Sequence, residues 1–373
     1  MFKHIEQLEK RQCLAIMGPS VPLNLPQQES IYLPIPIDIE LKSLHEGYKD
    51  GGINAIEMKS LILSTKDNNY INRFEILQLN TYISNADMAD HVRYLSNAVI
   101  NGHETNDLFA GNSVDISIFS YNTVDILIDK WFNGKDLPKW YESDLNYEKV
   151  NGDLFVEGVS PSDAKQGIIG DCYFITALGA VAQNNPSVVE NYFFEISDRL
   201  WVVRFYDNAL VPHYVTVNDE LPFDNNKNSM FAYYGKSDNT GGELWPALLE
   251  KAYVQAGQNR LIRNGNNSYH NINIGDSSRV ILHMIGELPD RTKGATKQEH
   301  IDFLNNNTPV VISYNYHTYT FESYNPDTDK FFLRNPWGHS HIEETWEILI
   351  EREIVGDRMG GYVIDISAVN PIS

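Results

Sequence analysis

Between positions 171 and 184 the apolar residues follow a helical period. Phe174, Ala177, Leu178, Val181 and Ala182 recur at i, i+3, i+4, i+7 and i+8, and Asn184-Asn185-Pro186 stops the run. The spacing predicts a helix over 171–184. Apolar, β-branched runs at 200–206 and 214–217 read as strands. A second helix is expected after the Gly241-Gly242 turn, with Pro246 in its first turn, Leu244, Leu248, Leu249 and Ala252 inside, and an end near Gly257. Further on, 309–314, 318–324, 330–334, 346–350 and 361–366 read as strands separated by turns such as Asn325-Pro326-Asp327-Thr328-Asp329. A helical half therefore precedes a β half, which is an α+β arrangement.

Upstream the pattern is looser. Pro19, Pro22, Pro26, Pro34 and Pro36 make an extended strap, because each fixes φ and biases its predecessor. Over 40–130, short amphipathic segments between Asn-, Gly- and Asp-rich turns read as a small helical domain. Ile53-Asn54 with Glu57 recurs as Ile71-Asn72 with Glu75, and Asp50-Gly51-Gly52-Ile53-Asn54-Ala55-Ile56-Glu57 resembles the second half of an EF-hand loop. The first half fails: Glu46, Tyr48 and Asp50, or Ser64, Lys66 and Asn68, would fill the first three ligand positions. A helix-turn-helix packing repeat is the better reading. Residues 131–157 read as a connector with an exposed polar stretch. The divisions expected are 1–39 (extended), 40–145 (helical accessory domain), 146–270 and 271–373.

Composition narrows the classes. At 373 residues, with 42% hydrophobic and 12% aromatic side chains, the chain can build two or three cored domains. Lys+Arg 29 against Asp+Glu 50 gives −21, with no basic patch, which excludes nucleic acid as a partner. Cys13 and Cys172 are too few for a disulfide framework, so a free thiol is expected. No apolar run reaches membrane-spanning length, and 13–17 is too short for a secretory core, which makes cytoplasm the default unless export uses another route.

Cys172 stands at the start of the first predicted helix, where the helix dipole favours thiolate, the nucleophilic form. Asp171 is a natural N-cap. As a residue type, a lone cysteine is first a small buried hydrophobe. Gln166, six residues earlier in a loop with Gly167 and Gly170, can join the Cys172 N–H as an oxyanion donor. A thiolate needs an imidazole. His317 opens a predicted strand whose hairpin partner ends at Asn335, so both reach one end; Asn335 can orient one ring nitrogen and leave the other to the thiolate, with Trp337 as a shield. His339 and His341 sit too near Asn335 in sequence for that role, and His213 reads as structural.

These segments resemble the calpain family of cysteine peptidases. The resemblance is carried by Leu154-Phe155-Val156-Glu157-Gly158-Val159-Ser160-Pro161 leading to Gln166-Gly167-Ile168-Ile169-Gly170-Asp171-Cys172-Tyr173-Phe174, by Gly242-Glu243-Leu244-Trp245-Pro246-Ala247-Leu248-Leu249-Glu250-Lys251-Ala252-Tyr253, and by Leu333-Arg334-Asn335-Pro336-Trp337-Gly338. It covers roughly 150–355 and implies a papain-like core: a helical lobe with Cys172 and Gln166, an antiparallel β lobe with His317 and Asn335, and a peptide substrate between them. Tyr173 replaces a Trp common in animal members, and 339–344 departs from the usual acidic turn. No penta-EF-hand module is found, as in compact bacterial or atypical members. The implied chemistry needs no cofactor. Calcium stays open as a regulator, with no ligand assigned. The implied activity is endopeptidase; a peptide-binding scaffold and a transamidase are the alternatives. Residues 1–145 are left as a regulatory, substrate-docking, targeting or partner-binding element, or as a packing appendage.

Overall fold

We describe the fold from a computed structural model over residues 52–66, 71–114, 121–141, 143–234, 243–259, 261, 265–292, 294–355 and 361–364. The proline strap, Cys13, the Gly241-Gly242 turn and positions beyond 364 lie outside them. All the described residues fall in one unit, Asp38–Ser373.

The first part consists of the helices Ala55–Ser64, Arg73–Asn85, Asp90–Ile100 and Tyr121–Trp131, with a small hairpin of Leu108–Phe109 and Asn112–Ser113. The repeated Ile-Asn…Glu motif has a plain physical cause here. Asn54 and Asn72 are N-caps, and Glu57 and Glu75 return hydrogen bonds to the cap N–H groups, so each copy is a capping box. Both carboxylates are thereby engaged at their own helix starts.

Downstream, an antiparallel three-stranded sheet is ordered Phe193–Ser197, Leu200–Tyr206, Pro212–Asn218. Successive side chains on a strand point to opposite faces, and both faces of this sheet are buried. Trp201, Val203, Phe205, Val215 and Val217 join the core built on the helices Cys172–Asn184, Trp245–Ala256 and Ser277–Ile285. Val202 and Tyr214 join the core of the N-terminal helices on the other side. The N-terminal helices thus share the sheet with the segment that carries Cys172. Residues 131–140 are bound in more firmly than an exposed connector would be, while the polar stretch after them is largely exposed, as expected. Lys130 and Asp136 form a buried ion pair (2.7 Å); Gln258 bonds to both, and Asn267 and the Ala110 N–H bond to Asp136.

The last part is an antiparallel six-stranded sheet in the order Ile342–Thr345, Lys330–Arg334, His317–Asn325, Val310–Tyr314, Gly361–Val363, Asp290–Arg291. Its own core gathers Val310, Ile312, Phe321, Phe331 and Leu333. One expectation fails in this region: 346–350 is the start of a helix, Trp346–Glu351. Thr345 stays extended at its N-cap, and burial falls on Trp346 and Leu349 with Ile350 left outside, a three-residue spacing that suits a helical turn and not a pleat. The division into a helical half and a β half also needs amending. The three-stranded sheet lies in the first, and Ser277–Ile285 and Lys297–Asn305 add helices beyond 270.

Replacing Asp136 with Ala leaves the Lys130 ammonium buried without its counter-charge, and should destabilise the chain by about 3–5 kcal/mol. Urea unfolding checks this; a loss below about 1 kcal/mol would mean the ion pair does not hold the N-terminal helices to the rest.

Candidate active site

The helix Cys172–Asn184 lies lengthwise on the strand His317–Asn325. Thr176 Oγ1 meets Thr318 Oγ1 at 2.9 Å, and farther along Gln183 Nε2 donates to Glu322 O at 2.9 Å. Cys172 precedes Thr176 by about 6 Å of helix, and His317 precedes Thr318 by about 3.3 Å of strand. Both residues therefore sit at the same end of this packed pair. Cys172 is a free thiol of intermediate exposure and is the first residue of its helix. Its neighbourhood includes Tyr319, whose phenol is pushed up by burial and by nearby Tyr314 and Cys172, and whose ring meets His317 edge-on at 5.0 Å.

His317 Nε2 lies 2.9 Å from Asn335 Oδ1, which leaves Nδ1 as the other ring nitrogen. Asn335 is buried, and its Oδ1 also accepts from the Trp337 N–H at 3.0 Å. The Trp337 ring stands 4.6 Å from that of His317. The hairpin that makes this possible pairs Thr320 with Arg334 and Asn325 with Lys330, so Asn335 leaves the ladder beside the His317 end.

The loop before Cys172 is held on three sides. Gln166 N–H donates to Pro336 O (2.8 Å), Ile168 N–H to Met230 O (2.9 Å), and Gly170 accepts from Ile274 N–H (2.9 Å) while donating to Asn273 Oδ1 (3.0 Å). Such closeness requires glycine: a Cβ on Gly167 would lie 1.9 Å from Phe231 O. The Gln166 side chain donates one Nε2 hydrogen to Ile169 O, which leaves the second available. The Pro336 contact ties the Gln166 loop directly to the turn that carries Asn335.

Asp171 occupies the N-cap position, but its carboxyl makes no capping hydrogen bond. It is turned inward, fully buried, beside Glu250, whose Oε2 accepts from the Ala232 N–H at 2.8 Å. Burial pushes Asp171 up to about 7, and burial with Asp171 alongside pushes Glu250 well above the usual carboxylate range. Two carboxyls desolvated together cannot both ionise, so the pair retains a proton at neutrality. The visible signal for Glu250 was an acid within a helix whose other residues are largely apolar. Asn273 carried no such signal. His341, set aside for its proximity to Asn335, accepts from the Asn335 N–H at Nδ1 (3.1 Å). His213 bridges Asp207 and Tyr94, a structural role.

A family model for calpain family cysteine proteases matches residues 130–306. Over those residues the chain belongs to the calpain family. That match takes in Gln166 and Cys172 and stops before His317 and Asn335. Among calpain relatives, the chain is 28% identical over 233 residues to calpain clp-4 of Caenorhabditis elegans, covering 53% of this chain and 30% of that protein. It is 32% identical over 138 residues to calpain-13 of Rattus norvegicus, covering 34% of this chain and 19% of the relative. Calpain-5 of Caenorhabditis elegans is 32% identical over 111 residues, 27% of this chain and 16% of its own length. The chain thus spans less than a third of these calpains. Mixed helix and antiparallel sheet fit a calpain-type protease domain. Among the described residues, no group of three or more His, Cys, Asp or Glu converges to hold a metal, and no helix is long and apolar enough to cross a membrane.

The raised Asp171 pKa has a sign. A carboxyl raised from about 4 unfolded to about 7 folded contributes stability that is present below about 4 and lost as pH rises through about 7. In a Cys172→Ala background, Asp171→Asn should therefore gain stability relative to its parent across that window, read as melting temperature against pH. A difference that does not vary with pH would refute the buried acid pair.

Proposed function

We propose that this calpain-family chain is a cysteine endopeptidase, with Cys172 as nucleophile, His317 as acid and base, Asn335 as the orienting group and Gln166 as an oxyanion donor. The observation that carries this reading is the His317 Nε2 to Asn335 Oδ1 hydrogen bond, at the same end of the packed helix and strand as Cys172. It supports a papain-like arrangement in which a helical part and a β part meet along a substrate cleft. The N-terminal helices bury the second face of the three-stranded sheet, which supports a stabilising role for them.

The reaction follows from these groups. With Asn335 engaging Nε2, Nδ1 of His317 exchanges a proton with the Cys172 thiol. The thiolate adds to the peptide carbonyl carbon, and the oxyanion takes hydrogen bonds from the free Gln166 Nε2 hydrogen and from the Cys172 N–H, which as a first-turn N–H has no intrahelical acceptor. The C–N bond breaks as His317 protonates the leaving amine. A water molecule, losing its proton to His317, then cleaves the thioester and returns the thiol. No cofactor enters any step.

Cys172→Ala should abolish peptide cleavage, and Gln166→Ala should lower turnover by about 10²–10³. An epoxysuccinyl peptide applied with chelator or with calcium checks the assignment by mass spectrometry. Labelling of Cys172 under chelator supports a cleft assembled without metal, and labelling that requires calcium supports a regulated one. Reaction at Cys13 alone would reject the site. An added amine appearing in product would favour transamidation, and function retained in Cys172→Ala would favour a binding scaffold.

A further inference from the structure

Five hydrogen bonds fix Asn335, and only one depends on a group that changes charge near neutrality yet lies outside the proposed chemistry. Asn335 Oδ1 accepts from His317 Nε2 and from the Trp337 N–H, Nδ2 donates to Ser340 O (3.3 Å), and the backbone O accepts from the Gly338 N–H (3.0 Å). The fifth bond is the Asn335 backbone N–H to His341 Nδ1, at 3.1 Å. A backbone N–H can only donate, so Nδ1 of His341 must be the bare nitrogen of a neutral ring whose proton is on Nε2. A protonated ring carries N–H at both nitrogens and cannot accept. The Asn335 N–H would then face another donor in a place where Asn335 is only 2% exposed.

We propose that His341 is a positioning residue for Asn335: its neutral ring anchors the turn that aims Asn335 at His317, and its protonation releases that turn. The inference rests on the Cys172, His317 and Asn335 reading above. It assigns work to a side chain in the 339–344 segment, where this sequence departs from the calpain pattern.

The surroundings keep the ring neutral near pH 7. Desolvation against the Phe332 ring, 5.1 Å away, comes first, followed by Arg334; His339 also disfavours a second positive charge. Glu322 acts in the opposite sense, but it is already paired with Arg334 in a two-pronged ion pair (Nη2 to Oε1, 2.6 Å). Together these hold His341 below the ordinary imidazole value. His341 is exposed, so solvent protons reach it. The neutral form is the competent one, and activity should rise with pH through this titration.

The first test needs no turnover. In full-length Cys172→Ala protein with 15N-labelled histidine, NMR should find His341 with its proton on Nε2, titrating below 6.5. Protection of the Asn335 amide against hydrogen exchange should fall at least tenfold as His341 becomes protonated. A proton on Nδ1, or amide protection indifferent to that titration, overturns the proposal. The second test uses peptide cleavage. His341→Phe keeps a ring without an acceptor and should lower kcat by up to about 10²-fold with little change in KM. His341→Gln supplies an acceptor that does not titrate; it should restore most of that loss and remove the matching acid limb from the kcat profile. An unchanged acid limb in His341→Gln, with Cys172 still reactive to the epoxysuccinyl peptide, defeats the role of His341 alone. Failure of Cys172 to react would instead count against the peptidase reading, and the NMR result would still decide the hydrogen bond.

Discussion

The helix that begins at Cys172 and the strand that begins at His317 are packed in register through Thr176 and Thr318, residues 142 positions apart in the chain. Everything the site can do depends on that register. A slip of one strand residue would turn Thr318 away and carry His317 to the other face of the sheet, since side chains alternate. The contact is reinforced at both ends. Gln183 donates to Glu322 at the far end of the helix, and the Gln166 N–H reaches Pro336 at the near one. The near contact joins the Gln166 loop to the Asn335 turn through a backbone hydrogen bond, so those two segments are held to each other directly.

Around this packing the molecule places charge where it is most costly to bury. Lys130 and Asp136 are paired in the core with Gln258 and Asn267 as further partners, so their desolvation is offset by a complete set of hydrogen bonds. Among the described residues, Asp171 and Glu250 form no ion pair with a cation, and they manage burial by retaining a proton. Lys251, next in sequence to Glu250, points elsewhere: its Nζ bonds to Asn218 O, Asn218 Oδ1 and Glu220 O, and burial lowers it to about 7. Adjacent residues on one helix thus answer desolvation in different ways, because each faces a different neighbour.

Much of the local structure was legible in the sequence. The helical period of 171–184 appears as Cys172–Asn184, the hairpin about Asn325 to Asp329 closes with His317 and Asn335 at one end, and the repeated Asn…Glu pairs are helix starts. Each of these is encoded within a few residues, by periodicity, turn chemistry or a cap. The helix at Trp346–Glu351 was misread because six residues are too few for a period to declare itself. Asp171 does take the N-cap position that its residue type favours, but its carboxyl is turned inward beside Glu250 and makes no capping hydrogen bond.

The sequence alone singled out the candidate residues, since a cysteine at a helix start, a glutamine in a glycine loop, and a histidine and asparagine flanking a hairpin are features of local order. Only the tertiary structure decided how those groups are held: Pro336 receiving the Gln166 N–H, the acid pair behind Cys172, and His341 accepting from Asn335. Such partners are chosen by approach in space. Hydrogen-bond direction and desolvation act over a few ångströms, whatever the distance along the chain, so no pattern of neighbouring letters records them.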